Sequence, residues 1–310
     1  MSAGRWVTVI STRLESTQGN PTTTGLRYIL GMASRPVVLS IAGYDPSSGA
    51  GVTADIKTAA ALGCYAVTCV SALTVQSTQG VFGVEPIRPD LVRQILVRLA
   101  EDVDFAAVRI GMLRSGEVAE AVVEFLRQCG PPNVVLDPVL RSSSGEKLID
   151  GPGLSVMRGQ LLPLCDVITP NFHEAIALAE ADSETASASN SYGKSLQDVR
   201  RLSATLLELG CGTVVITGGH LPEANDYLSS KAAGETSEHV FRGSRIESKA
   251  THGTGCAFAM ALACGLAKGL SLVDAVGGAK EFVRKAITAA YPVGKGTGPM
   301  NHLFRLLDDH

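Results

Sequence analysis

Short apolar runs alternate with stretches of helical composition from Pro36 almost to the C-terminus, and this alternation constrains the fold most strongly. The runs at Val37–Ala42 and Thr213–Thr217 carry mostly apolar or β-branched side chains on both faces of an extended chain. Strands of this kind, each followed by a helix, are typical of a parallel sheet with helices on both sides. The sequence therefore predicts an α/β fold of three layers, with a mostly parallel central sheet flanked by helices.

The same pattern predicts the remaining elements. Further strands are predicted at Tyr65–Ser71, Ala107–Met112, Asn133–Leu136 and Val167–Ile168. Helices are predicted at Ala50–Leu62, Pro89–Glu101, Glu117–Cys129, His173–Ala181, Leu196–Leu209, Ala257–Lys268 and Leu272–Ala290.

Two segments depart from the alternation. Strand-like pieces at Asp226–Leu228 and His239–Phe241 flank a glycine-containing turn, Ala233–Glu235, and predict a small β-hairpin at the edge of the sheet. The polar, Ser/Ala-rich segment Asp182–Lys194 is typical of a surface loop or a disordered insertion.

The N-terminal segment Met1–Ser34 also differs from the rest of the chain. It is rich in Ser, Thr and Gly and shows no sustained helix or strand period. We interpret it as a flexible extension, or as the product of an upstream start codon with Met32 as the true first residue. Residues 35–310 are then expected to form one domain.

Charge and cysteine usage limit the class of protein. The net charge of −3 gives no electrostatic reason to expect nucleic acid or a membrane surface as the main partner. No apolar stretch approaches the roughly 20 residues that span a bilayer. Seven scattered cysteines without a Cys-x-x-Cys pair are typical of reduced thiols, so a cytoplasmic location is expected.

The segment Thr251–Cys256 carries the clearest chemistry. Small and turn-forming residues and a thiol precede the predicted helix Ala257–Lys268, so they lie where backbone N–H groups and the helix dipole attract an anion. A thiol at this position is expected to ionise more easily than a free cysteine. The arrangement suits phosphoryl transfer, although a glycine-rich turn that only caps a packed helix explains it equally well.

The common nucleotide motifs are absent from the chain. No Gly-x-x-x-x-Gly-Lys-Ser/Thr occurs, and Gly49-Ala50-Gly51 lacks the third glycine and the downstream acid of a dinucleotide fold. The predicted anion site must therefore belong to another nucleotide-binding design.

Three acidic side chains follow predicted strand ends, where open α/β sheets bind their ligands. Asp55 lies in the first turns of a helix after the glycine-rich loop Ala42–Gly51, and either accepts from a ligand amino group or complements the helix dipole. Asp137 ends one strand and Glu174 follows another. Two carboxylates at one sheet edge suit Mg²⁺, although each alone is more often a helix cap or a surface acid.

These segments together resemble hydroxymethylpyrimidine/phosphomethylpyrimidine kinases, the thiamine-biosynthetic branch of the ribokinase-like superfamily. The resemblance runs from about Pro36 to Phe304. The matching segments are Ala42–Gly51, Ala54–Thr58, Ala72–Thr78, Ile110–Leu113, Leu136–Val139, Ile168–Glu174, Gly218–His220, His252–Cys256 and Gly298–His302.

The resemblance implies a ribokinase-like sandwich and a role for each matching residue. A pyrimidine pocket is expected from Gly43, Asp55, Gln76, Met112 and Val139. Nucleotide contacts are expected from Asp137, Asn171, Glu174, Thr217 and Gly219, with Asp137 and Glu174 also near Mg²⁺. An anion hole at Gly253, Thr254 and Gly255 is expected, with Cys256 as the base in place of the aspartate of sugar kinases.

Two positions depart from the family pattern. Thr217 stands where the family often carries Lys, and Arg141 lies two positions before the place of another frequent Lys. Because phosphoryl transfer depends on positioning and charge neutralisation, these changes are expected to alter the rate or the nucleotide affinity rather than the reaction.

The resemblance implies ATP-dependent phosphorylation of 4-amino-5-hydroxymethyl-2-methylpyrimidine and of its monophosphate, giving the pyrophosphate used in thiamine biosynthesis. ATP, Mg²⁺, a small-molecule substrate and a homodimer are expected, and a bound monovalent cation is compatible with this design. One alternative is a pyridoxine/pyridoxal kinase, whose substrate also bears a hydroxymethyl group. The other is a catalytically silent pyrimidine-binding regulatory protein, which the missing Lys at Thr217 suggests.

Overall fold

A computed structural model of the protein describes residues 35–142, 145–180, 194–232 and 235–306. The expected N-terminal extension lies outside these residues, as does the predicted polar loop up to residue 193. Within the described helices, none is both long enough and apolar enough to cross a bilayer.

Nine strands of the described residues form one sheet in the order β3-β2-β1-β4-β5-β6-β7-β8-β9. Strands β1, β2 and β4–β7 are parallel, whereas β3 at one edge and β8 and β9 at the other pair antiparallel. The strands are β1 Val37–Tyr44, β2 Tyr65–Ser77, β3 Gly80–Pro86, β4 Ala107–Ile110, β5 Val134–Leu136, β6 Val167–Ile168, β7 Thr213–Ile216, β8 Asp226–Ala232 and β9 Glu235–Phe241.

Helices cover both faces of the sheet. In chain order they are α1 Gly51–Ala61, α2 Pro89–Asp102, α3 Gly116–Cys129, α4 Gly151–Val156, α5 Phe172–Ala179, α6 Leu196–Glu208, α7 Thr254–Ala267 and α8 Leu272–Thr288. A π-helical turn at Met157–Leu161 continues α4.

Two hydrophobic cores lie on the opposite faces of the sheet. Neighbouring residues of β1 belong to different cores. Leu39 packs in the core formed with α2, α3, α5 and α6. Val38 packs in the core formed with α1, α7 and α8. This is the alternation of a strand that is buried on both faces. Helix α7 is apolar nearly all round and buried over Ala257–Gly265, so it lies inside the sandwich. The predicted α/β sandwich is confirmed.

The predicted edge hairpin is confirmed as β8 and β9, although the residues at its tip lie outside the described part. A second antiparallel edge was not predicted. Strand β2 continues to Ser77 and pairs with β3, because Gly80 allows the chain to reverse with a φ of 147°. Helix α4, which Asp150 caps by accepting from the Gly153 N–H, was also missed.

Candidate active site

A cavity of about 1200 Å³ opens at the carboxyl ends of the parallel strands. Its wall includes Asp45 after β1, Asp137 after β5, Thr169 after β6 and Thr217 after β7. This is the edge at which open α/β sheets bind their ligands. The N-terminus of α7 closes the same cavity with residues 251–256.

The structure brings most of the predicted site residues to this cavity. Those in its wall are Gly43, Gln76, Met112, Asp137, Val139, Asn171, Glu174, Thr217, Gly219, Gly253, Thr254, Gly255 and Cys256. Their roles toward a ligand stay predictions, but their convergence from different elements is a structural fact.

Asp55 is the one predicted pyrimidine-pocket residue that the structure does not place in the cavity wall. Its side chain is fully buried on α1, and its Oδ2 accepts from the Ser40 hydroxyl at 2.6 Å and from Arg109 Nη1 at 3.0 Å. Asp55 lies beyond the first turn of α1, so it does not complement the helix dipole there, and its contact with a ligand stays a prediction. Asp55 holds the guanidinium of Arg109.

Arg109 is a central residue of the site that the sequence analysis missed. It is fully buried on β4 and bridges Asp55 to Asp137, whose Oδ2 lies 2.5 Å from Nη2. The signal was a charged side chain within an otherwise apolar run, since an arginine is almost never fully buried unless it is paired. Burial raises the pKa of Asp55 to about 6, although the Arg109 charge opposes this shift.

Cys256 lies in the first turn of α7 and interacts with Arg109 and Asp137. Burial raises the pKa of its thiol to about 12, and the carboxylates of Asp137 and Asp55 add to the rise while Arg109 opposes it. The expectation that this thiol ionises more easily than a free cysteine is therefore wrong. Desolvation outweighs the pull of the helix N-terminus.

The turn before α7 depends on Gly253, which adopts a φ of 78° at the N-cap position. A Cβ at this position would lie 1.8 Å from the carbonyl oxygen of Gly49, so the two glycine-containing loops touch there. In the part of the chain that the structure describes, no side chain caps the N-terminus of α7. Its first amides therefore face the cavity without a side-chain acceptor, which suits the binding of an anion.

Glu174 and Asn171 form a capping box at the start of α5. The Asn171 oxygen accepts from the amides of His173 and Glu174, and a Glu174 carboxylate oxygen accepts from the Asn171 N–H at 2.8 Å. Burial and then the negative charge of Asp137 raise the pKa of Glu174 to about 8. Two acids that repel each other at one cavity wall are suited to share a cation.

Two cationic side chains lie in the cavity wall near Thr217, the position at which the family often carries Lys. Arg245 donates to the Leu221 carbonyl at 2.7 Å and to the Gly219 carbonyl at 3.3 Å. Lys280 on α8 donates to Asp226, which in turn accepts from the Gly218 N–H. Both cations therefore lie beside the segment that carries Thr217, and sequence analysis had not selected either of them.

Comparison with known proteins decides the family. The sequence model described as phosphomethylpyrimidine kinase matches residues 45–301. The chain belongs to the phosphomethylpyrimidine kinase family. It is therefore an enzyme, a kinase of thiamine biosynthesis, and the alternative of a silent binding protein is set aside.

Curated relatives agree over most of the chain. A hydroxymethylpyrimidine/phosphomethylpyrimidine kinase from Streptomyces coelicolor is 40% identical over 86% of this chain and 94% of its own length. The Escherichia coli protein of the same description is 38% identical over 85% of this chain and 96% of its own.

Solved structures add a second enzyme class to the comparison. An ADP complex of Bacillus subtilis pyridoxal kinase has a TM-score of 0.76 and 31% identity, covering 88% of this chain and all of the other. The phosphomethylpyrimidine kinase of Clostridium difficile has a TM-score of 0.68 and 32% identity, covering 82% of this chain and all of the other. The ribokinase-like fold expected from the resemblance is confirmed.

Proposed function

We propose that this kinase transfers a phosphoryl group from ATP to the hydroxymethyl group of 4-amino-5-hydroxymethyl-2-methylpyrimidine, and then to the monophosphate. One observation carries the proposal: the uncapped N-terminus of α7, the buried Arg109–Asp137 pair and the half-buried Cys256 line one cavity. The predicted ring-binding residues Gln76, Met112 and Val139 line the same cavity. The names of the curated relatives support this choice of substrate.

In the proposed mechanism the substrate hydroxyl lies beside Cys256. The O–H proton passes to the sulfur while the oxygen forms its bond to the γ-phosphorus and the bond to ADP breaks. The backbone amides of residues 253–256 stabilise the charge on the transferred group. Because the thiol pKa is raised to about 12, the reactive species is the thiolate, which is present in a minor amount beside Arg109. This thiolate is a strong proton acceptor when it forms.

The two acids Asp137 and Glu174 fit a bound Mg²⁺. Their oxygens are hard ligands. Burial and then the charge of Asp137 raise the pKa of Glu174, and a divalent cation would relieve the repulsion between the two acids. Among the described residues no group of three or more ligating side chains occurs. Mg²⁺ usually takes few protein ligands and keeps waters and phosphates. When bound, the ion would neutralise phosphate charge.

Product analysis tests the proposal. We expect ATP- and Mg²⁺-dependent formation first of the monophosphate and then of the diphosphate from 4-amino-5-hydroxymethyl-2-methylpyrimidine. The measurement is phosphorus NMR or chromatography over a time course that separates the two products. Monophosphate without diphosphate would remove the second step from the proposal, and no product would overturn it.

Pyridoxal phosphorylation is the second candidate, and the similarity to the Bacillus subtilis pyridoxal kinase favours it. Both substrates present a hydroxymethyl group on a six-membered nitrogen ring. The ratio of kcat/KM for the pyrimidine and for pyridoxal separates the candidates, and we expect it to exceed one.

We further propose a homodimer, and one apolar patch supports it. Leu73 and Val75 on β2 and Phe82 on β3 are 48%, 66% and 70% exposed at the edge of the sheet. Burial of such a patch against a second copy would remove apolar surface from water. Sedimentation is expected to give a dimer that Phe82→Glu dissociates, whereas a monomeric wild type would contradict the proposal.

The cytoplasmic location and the monovalent cation stay predictions.

A further inference from the structure

His252 joins two loops of the site through one ring nitrogen. Its Nε2 lies 2.8 Å from Asp45 Oδ2 and 3.0 Å from one end of the Gln76 amide. The other end of that amide lies 3.1 Å from the Thr74 hydroxyl oxygen, which is 3.0 Å from the Tyr44 carbonyl oxygen. Gln76 itself lines the cavity.

The position of the proton on His252 follows from Asp45. This carboxylate is 3% exposed and accepts from the amides of Gly49 and Ala50 and from Ser47. Burial raises the pKa of Asp45, but the bonds from His252 and Ser47 outweigh burial and lower it overall. An ionised carboxylate is an acceptor only, so the proton between Asp45 and His252 is carried by Nε2.

A protonated Nε2 constrains Gln76. With the amide nitrogen at the His252 end, two donors would face each other at 3.0 Å. The two ends of an amide are assigned from the hydrogen bonds around them. With the oxygen at that end, the single Nε2–H of His252 is shared between Asp45 at 2.8 Å and the Gln76 oxygen at 3.0 Å. Gln76 then donates to the Thr74 hydroxyl, and Thr74 donates to the Tyr44 carbonyl. In this arrangement no two donors face each other, and one N–H of Gln76 is left for the cavity.

We propose that His252 is a positioning residue that holds the Gln76 amide oxygen toward itself and the amide nitrogen toward Thr74. The remaining N–H and lone pair of Gln76 are then presented to the cavity in one fixed order. A ring with an acceptor nitrogen next to an amino group can accept from this N–H and donate to this lone pair in a single orientation only. This inference rests on the proposed function and adds that His252, through Gln76, sets the choice of ring edge.

A substrate pair with opposite edges tests the inference. In the 4-oxo analogue of the pyrimidine, a ring N–H and a carbonyl replace the ring nitrogen and the amino group, so donor and acceptor are exchanged. The wild type is expected to prefer the 4-amino substrate in kcat/KM by about a hundredfold, because both polar contacts of Gln76 with the ring edge are then mispaired. His252→Gln, which both donates and accepts, frees Gln76 to turn and should reduce this preference about tenfold.

A merely structural role for His252 would lower both rates and leave their ratio unchanged, and that result would overturn the inference. The matched control is His239→Gln on β9, an exposed histidine outside the cavity wall, which should leave the ratio at the wild-type value. The preference is to be measured in variants whose thermal unfolding matches the wild type.

A second measurement is independent of activity. Imidazole ¹⁵N–¹H correlation spectra of the wild type, with the His252 signal identified by its loss in His252→Gln, report which ring nitrogen carries the proton. A proton on Nε2 supports the inference, and a bare Nε2 overturns it. If the wild type phosphorylates neither pyrimidine, the proposed function fails, while these spectra still decide the arrangement of His252 and Gln76.

Discussion

Replacement of Cys256 by alanine is expected to lower kcat for the pyrimidine substrate by about 10²–10⁴-fold, the usual contribution of a positioned proton acceptor. KM should change little, because the sulfur contacts the reacting hydroxyl rather than the ring. The measurement is steady-state phosphorylation of 4-amino-5-hydroxymethyl-2-methylpyrimidine by each variant, with saturating ATP and Mg²⁺.

The raised thiol pKa adds a pH dependence to this prediction. A thiol with a pKa of about 12 is protonated at neutral pH, so the thiolate fraction grows tenfold with each pH unit below that value. We therefore expect the wild-type kcat to rise with pH through the neutral range. In Cys256→Asp the carboxylate is ionised at lower pH, and the rise should flatten.

The matched control for Cys256 is Cys129→Ala. Cys129 is an exposed free cysteine at the end of α3, away from the cavity wall, and its loss should leave kcat and the pH profile unchanged. A wild-type kcat in Cys256→Ala would exclude the sulfur as the proton acceptor. An equal drop in Cys129→Ala would assign the effect to general damage.

Much of the site could be predicted from sequence because parallel strands end at one edge of a sheet. Asp137 and Glu174 follow β5 and β6, and the segment at residues 251–256 precedes α7, so topology alone brings them to one cavity. The motifs identified the elements, and the rule for open α/β sheets gave their common location.

What sequence could not predict depends on contacts between distant residues. Arg109 lies in an apolar run, and only the structure shows that two acids from other elements pair with it. Asp55 has the right chemistry to contact a ligand, and only the structure shows that its buried side chain pairs with Arg109. The Cys256 pKa has the opposite shift from that expected, because desolvation in the folded protein outweighs the local helix effect.

Loss of Arg109 is expected to cost the most stability of any single change at the site. Arg109→Met would leave the buried carboxylates Asp55 and Asp137 without their partner, and breaking a buried ion pair in this way typically costs about 3–5 kcal/mol. The free energy of unfolding in urea at pH 7 measures the loss. The control is Arg98→Met on α2, whose exposed pair with Glu101 contributes about 1 kcal/mol or less.

The loss should shrink on acidification, because the buried carboxyl groups can take up protons. The pKa of Asp55 is already raised to about 6, and without the opposing charge of Arg109 it rises further. The folded variant then binds a proton at a pH where the unfolded chain, with its ordinary aspartate pKa, does not, so its stability increases as the pH falls from 7 toward 5. Arg109→Met with Asp55→Asn should recover part of the loss at pH 7. A deficit that is the same at pH 5 and pH 7, or that Asp55→Asn fails to reduce, would show that Arg109 stabilises the fold by packing rather than by compensating buried charge.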